Sequence, residues 1–166
     1  TLLIRMGKCC SPVPGDDILG YITRGRGVSV HTLDCPSVSA FKGENDRILE
    51  VGWNEVSKSP SIVHVQIVTM DKPGMLATIS SILATLEINI TRASVNQGAN
   101  RRAYFDLSIE VASLEELNKT LGEVKKVDGV TYVERIKEHQ RKASKKSIEN
   151  IDLDKSKTDQ KTSKAL

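Results

Sequence analysis

Between Ser61 and Ile136 the apolar residues switch repeatedly between a two-residue and a roughly 3.6-residue period, and this restricts the fold more than any other feature. "SIVHVQIVTM" (61–70) alternates, with Val63, Val65 and Ile67 on one face, and reads as a strand. "DKPG" (71–74) is a turn signal. Leu76, Ile79, Ile82, Leu83 and Leu86 then recur at helical spacing. "INITRASV" (88–95) returns to strand character, and "NQGAN" (96–100) reads as a turn with hairpin chemistry. "AYFDLSIEV" (103–111) directs Phe105, Leu107, Ile109 and Val111 inward. Ser113 and Glu116 form a capping box ahead of a helix carrying Leu114, Leu117, Leu121 and Val124. Gly129 ends that segment, and "VTYVERI" (130–136) is a final strand. The order β-α-β-β-α-β predicts a ferredoxin-like α+β unit over 58–137: one antiparallel sheet with two helices on one face.

The flanking parts differ in kind. Residues 1–57 are rich in Gly, Pro and Cys. "TLLIRM", "DILGYIT", "GVSVHT" and "RILEVGW" read as short strands, "PVPGDD" and "RGRG" as turns, and "CPSVSAF" as one or two helical turns. Such a β-rich module is near the size where a core alone is marginal and a metal or a neighbour is needed. Residues 138–166 read as a basic disordered tail whose apolar residues are few, Ile148, Ile151 and Leu153 among them. From Lys137 onward, nine Lys/Arg face five Asp/Glu, about +4, so the chain's net +3 leaves about −1 for the rest.

The totals agree with two small modules. Aromatic residues make up only 4% of the 166, which disfavours one large core. No apolar run approaches the roughly 18 residues of a membrane span, so no membrane partner is expected. Without a signal peptide the expected setting is the reducing cytoplasm, and an odd three cysteines argue against a disulfide framework. The first residue is Thr1 rather than methionine, which suggests a fragment of something longer.

Three groups of residues carry chemistry. Cys9, Cys10, His31 and Cys35 offer four soft or borderline ligands, and His31 and Cys35 stand four apart, a common half-site spacing for zinc. Adjacent cysteines in a strand would point to opposite faces, so Cys9 and Cys10 converge only if the chain turns, as at Ser11–Pro12; otherwise Asp34 or water is the fourth ligand. Buried apolar cysteines, or a reactive thiol served by Lys8 or His31, are the other readings. Arg24 and Arg26, spread by Gly25, suit phosphate oxygens or an RNA backbone and would form a patch with Arg5, Lys8 and His31; a solvated hairpin turn is the plain alternative. In the second unit, Gly74 at a helix start, with Asp71 or Asn89 to hold an amino group, outlines an amino-acid pocket, and an ordinary turn fits as well. "PGDD" (14–17) reads as a β-turn. No P-loop, G-x-S-x-G, H-E-x-x-H or catalytic carboxylate pair occurs, so no enzyme activity is expected of this chain itself.

The stretch "KCCSPVPGDDILGYITRGRGVSVHTLDCP" (8–36) closely resembles the cysteine-containing module near the C-terminus of the RelA/SpoT family, the long (p)ppGpp synthetase/hydrolases of the stringent response. "DKPGMLATISSILATLEINI" and "GVTYVERI" resemble the ACT domain of the same proteins. The resemblance implies a parent enzyme that transfers pyrophosphate from ATP to GTP or GDP, and in many members hydrolyses the product, with catalytic domains upstream of this segment. It implies a regulatory region that docks on the ribosome beside uncharged tRNA, touches ribosomal RNA, and restrains or releases the catalytic half. On that basis Cys9, Cys10, His31 and Cys35 match the metal-like cluster with Zn2+ as its cofactor, and Arg24 and Arg26 match the RNA-facing turn. Asp71, Gly74 and Asn89 match the general ACT pocket, with a branched-chain amino acid as ligand and a homodimer through the ACT domain as further partner expectations. An amino-acid-sensing module without direct RNA contact is the alternative, and a thiol redox enzyme built on Cys9 and Cys10 a third reading.

Overall fold

Two sheets arise from the two patterns. The computed structural model describes residues 3–41, 43, 45–54 and 59–141. In the first sheet β1 (Ile4–Met6), β2 (Ile18–Thr23), β3 (Gly27–Thr32) and β4 (Ile48–Glu50) lie in the order β1-β3-β2-β4, with β1 parallel to β3 and the other pairs antiparallel. Register places Ile4, Met6, Val28, Val30, Gly20 and Leu49 on one face. The other face carries Tyr21 and His31, on which Phe41 packs just beyond the short helix α1 (Pro36–Ala40). Phe41 stacks on Tyr21 at 3.9 Å between ring centroids and meets His31 edge-on at 5.7 Å.

Gly27 lets β1 join this sheet. It has φ +80, and an added Cβ would collide with the Leu3 carbonyl, which accepts the Val28 N–H at 2.8 Å. Gly27→Ala is therefore expected to detach β1 and cost about 2 kcal/mol or more. Gly25→Ala, at φ +74 with open space around it, should cost only about 1 kcal/mol. Urea midpoints of the two variants test this, and equal losses would mean that backbone strain alone decides.

The second unit has the expected βαββαβ order: β5 (Ser61–Met70), α2 (Met75–Thr85), β6 (Ile90–Gly98), β7 (Arg102–Val111), α3 (Leu114–Lys125) and β8 (Val130–Ile136). Its sheet runs β6-β7-β5-β8, antiparallel throughout. Val63, Val65 and Ile67 of β5 and Phe105, Leu107, Ile109 and Val111 of β7 share one core with Ile79 and Leu83 of α2 and Leu117 and Val124 of α3. The Ser113 hydroxyl accepts the Glu116 N–H at 3.2 Å, and the Glu116 carboxylate accepts the Ala112 N–H at 2.6 Å, so the cap forms one residue wider than the usual box.

Several boundaries differ from the sequence expectation: the strand expected over 47–53 is confined to Ile48–Glu50, because Asn45–Arg47 form a 3-10 turn, and the strand expected from 88 begins at Ile90. β6 runs on through Gly98, because Gln97 pairs with Ala103, and the turn moves to Ala99–Arg101 with Asn100 and Arg101 at positive φ. Residues 138–141, expected as the start of the tail, are helical and pack back on the first module: the His139 N–H donates to the Cys9 carbonyl at 3.3 Å. The rest of the expected tail, 142–166, lies outside the described residues. Val13, from the Pro-rich turn of the first module, is fully buried in the core of the second.

Candidate metal centre and basic hairpin

The sequence brings four donors together through one turn and one strand end. Gly7 continues β1 by donating to the Val30 carbonyl at 2.7 Å. The chain then turns, with the Gly7 carbonyl accepting the Cys10 and Ser11 N–H groups at 3.3 and 2.8 Å. Ser11 leaves the turn at φ +45, so the reversal falls over residues 7–11, ahead of the Ser11–Pro12 position expected from sequence. A Cβ on Gly7 would sit 2.6 Å from His31 Nδ1, so glycine is what allows the turn to approach the imidazole. Cys35 caps α1 ahead of Pro36, and its N–H donates to the Thr32 carbonyl at 2.9 Å, folding its thiol back towards the end of β3.

The resulting cluster has the dimensions of a tetrahedral site. Cys9 Sγ lies 4.0 Å from Cys10 Sγ and 3.4 Å from Cys35 Sγ. His31 Nδ1 lies 3.2 Å from Cys9 Sγ and 3.7 Å from both Cys10 Sγ and Cys35 Sγ. All four donor atoms fall within 4.8 Å of one another. Bond lengths of ~2.3 Å to sulfur and ~2.05 Å to nitrogen imply tetrahedral edges of about 3.8 Å between sulfurs and about 3.6 Å from sulfur to nitrogen. The observed separations bracket both values, so the donor set fits a divalent metal of zinc's size and preference. Asp34 is not the fourth ligand: its carboxylate takes Lys137 Nζ at 2.6 Å.

The surroundings tune these donors. Burial pushes the Cys10 thiol up to about 12, against the lowering effect of the Thr32 backbone N–H, which reaches its sulfur at 3.4 Å. Burial also opposes ionisation of Cys35, but hydrogen bonds from the Ser37 backbone and from Cys9 outweigh it, and its pKa falls below the ordinary thiol value. Burial lowers His31, keeping the imidazole neutral, which is the ligating form. His31 Nε2 lies 3.3 Å from Ser29 Oγ, the kind of outer contact that orients a ligand ring. A nucleophile needs one accessible, activated thiol; here two of the three thiols are buried and all three face one point with a neutral imidazole, the arrangement a cation needs.

Arg24 and Arg26 stand exposed at the tip of the β2–β3 hairpin, in the three-residue loop between the paired Thr23 and Gly27. Thr23 Oγ1 closes that loop onto the Gly27 carbonyl at 2.7 Å. His31 and Lys8 are not beside it: His31 lies four positions along β3 from Gly27, about 13 Å at the ~3.3 Å rise of a strand. Arg5 lies between, opposite Ser29. The expected compact patch is therefore two features, a basic tip and a metal-type cluster at opposite ends of one hairpin.

Asp71, Gly74 and Asn89 are not brought together within one chain. Asp71 and Gly74 flank the start of α2, where Asp71 accepts Gln97 Nε2 at 3.0 Å and Gly74, at φ +85, caps the helix. Asn89 follows the other end of that helix and donates to the Glu110 carboxylate at 2.8 Å. The eleven residues of α2 span about 16 Å between them.

Several contributing residues had no signal in the sequence. Ser29, Ser37 and Thr32 support the donors, and Lys137 removes Asp34 from them, across a separation of 103 residues. "PGDD" does turn, but Asp16 also forms a bidentate pair with Arg135, at 3.0 and 2.9 Å, 119 residues away.

Residues 1–54 match the family described as the RelA/SpoT RIS domain, and residues 58–135 match the ACT domain. The chain is 36% identical over 133 residues to a GTP pyrophosphokinase of Streptomyces coelicolor, covering 80% of this chain and 16% of that protein. It is 36% identical over 135 residues to the bifunctional (p)ppGpp synthase/hydrolase RelA of Mycobacterium tuberculosis, covering 81% and 18%. With the GTP pyrophosphokinase of Escherichia coli K12 it shares 34% over 137 residues, again 81% and 18%. The chain thus spans less than a fifth of the length of these relatives. Among solved structures, the ACT domain from the GTP pyrophosphokinase of Chlorobium tepidum is 27% identical, covers 47% of this chain and all of that one, and superposes with a TM-score of 0.43. The cysteine–histidine module and the βαββαβ unit, matched one after the other across most of its length, make this chain the RIS and ACT region of a RelA/SpoT-family protein.

Proposed function

We propose that this chain is the regulatory region of a longer cytoplasmic (p)ppGpp synthetase or synthetase/hydrolase, and that it couples a ribosome carrying uncharged tRNA to the catalytic half. The carrying observation is the two-module match to a small share of GTP pyrophosphokinases, joined to a hairpin that presents Arg24 and Arg26 exposed at its tip. In this reading Cys9, Cys10, His31 and Cys35 hold Zn2+. Four protein donors close its coordination sphere, so the ion supplies structure, fixing the root of the hairpin whose tip meets ribosomal RNA phosphates. Contact there shifts an equilibrium between restrained and active states of the catalytic half.

Co-sedimentation of the chain with ribosomes across a salt series, with and without uncharged tRNA in the A site, tests the proposal. Binding should saturate and strengthen with the tRNA. Arg24→Ala combined with Arg26→Ala should reduce the slope of log K against log salt by about 1.5, since each lost phosphate contact removes about 0.7 to 0.9. An unchanged slope would remove the two arginines from the interface. The alternative, an amino-acid-sensing ACT module without RNA contact, draws on the exposed edge strand β6, along which a second copy could bring Asp71 and Gly74 of one chain near Asn89 of another. A thermal shift with valine or isoleucine, together with dimerisation and no ribosome binding, would favour it.

A further inference from the structure

The segment that supplies two of the metal donors is also the segment that fastens the two domains together. From Cys9 to Asp16, successive groups turn towards the ACT side. The Cys9 carbonyl accepts the His139 N–H at 3.3 Å and lies 3.0 Å from His139 Nδ1. The Ser11 carbonyl accepts Arg135 Nη2 at 2.8 Å. Val13 enters the ACT core. The Pro14 carbonyl accepts the N–H of Leu114 at 2.7 Å, one of the donors that the first turn of α3 leaves without an intrahelical partner. Asp16 takes both Arg135 nitrogens, with its own carboxylate steadied by the Val13 N–H at 2.9 Å and its carbonyl by the Trp53 indole at 2.8 Å.

The conformation of residues 7–11 therefore serves two ends. Cys9 and Cys10 converge only because the chain turns at Gly7 and leaves through Ser11 at φ +45. The Cys9 and Ser11 carbonyls meet His139 and Arg135 only in that same turn. Two events that select one conformation of one segment strengthen each other, and the coupling is reciprocal.

We infer that the metal centre is a latch between the domains: loading it fixes the RIS domain onto the ACT domain through residues 9–16, and emptying it lets the two move independently. This rests on the proposed metal binding at Cys9, Cys10, His31 and Cys35. It gives the ion a role beyond holding its own module, since it decides whether the basic hairpin and the ACT sheet respond as one body.

Zinc affinity of the full chain, measured by chelator competition, tests the coupling from the domain side. Asp16→Asn and Arg135→Gln alter no metal donor, yet each should weaken zinc binding about tenfold, within the range of ordinary coupling. Hydrogen exchange tests it from the metal side: removing zinc from the wild-type chain should speed exchange at Leu114 and His139 about tenfold while Leu107, in the ACT core, stays protected. Wild-type chain that takes up no zinc would overturn the metal reading and the latch with it. Zinc binding of equal strength in all three chains, with exchange at Leu114 and His139 unchanged, would overturn the latch alone. Acceleration extending to Leu107 would also overturn it, because the ion would then support the whole fold.

Discussion

Removing zinc from the loaded chain is expected to lower its first unfolding transition by about 15 °C or more. A ligand present at about 1,000 times its Kd stabilises the state that binds it by about 4 kcal/mol. In a module of this size, each kcal/mol moves the midpoint by roughly 4–8 °C. Within its own module the RIS domain has little else to rely on. Two of its four strands are three residues long, and most of the fully buried side chains belong to the ACT core. Two of its buried side chains, Cys10 and Cys35, belong to the metal-type cluster itself. Scanning calorimetry should resolve an early transition that moves with zinc and a later one that moves less. Cys10→Ser should reproduce the zinc-free trace; a variant that melts with the loaded wild type would show that Cys10 is not needed to hold the ion.

Arg135→Ala should cost about 3–5 kcal/mol, against about 0–1 for Lys137→Ala, although both residues form ion pairs with the RIS domain. The difference lies in the partners. Arg135 and Asp16 are 12% and 10% exposed, whereas Lys137 meets an Asp34 that is 61% exposed and keeps much of its hydration. Truncating Arg135 strands the Asp16 carboxylate in a nearly dry site; truncating Lys137 returns Asp34 to water. Urea midpoints at constant m report the two losses. Combining Arg135→Met with Asp16→Asn should recover a substantial part of the stability by removing the stranded charge. A loss below about 1 kcal/mol for Arg135→Ala would mean that water already solvates the pair and that the contact does not fasten the domains.

Much of this protein was legible in the order of its residues. The strands 61–70 and 130–136 fall where alternation placed them, because a sheet buried on one face enforces a two-residue period. The first helix of the ACT unit lies within a residue of its expected end, since Ile79 and Leu83 must meet the sheet from one side. The 96–100 turn was misplaced because Asn and Gly mark turns by local preference, whereas cross-strand pairing of Gln97 with Ala103 carried β6 further. The four donor types and the His31–Cys35 spacing were visible as well, but convergence was not: it depends on Gly7 meeting His31 and on the left-handed Ser11.

What the sequence determined by itself follows from short-range rules: periodicity, caps, turn residues and the chemistry of side chains a few positions apart. What only the tertiary structure decided are pairings over long separations. Asp16 became the partner of Arg135, Asp34 that of Lys137, and Val13 part of a core outside its own module. No local preference encodes these contacts, because any carboxylate can pair with any cation and any valine can fill an apolar space. Folding selects them only when two sheets, each already specified by its own pattern, come to lie against one another.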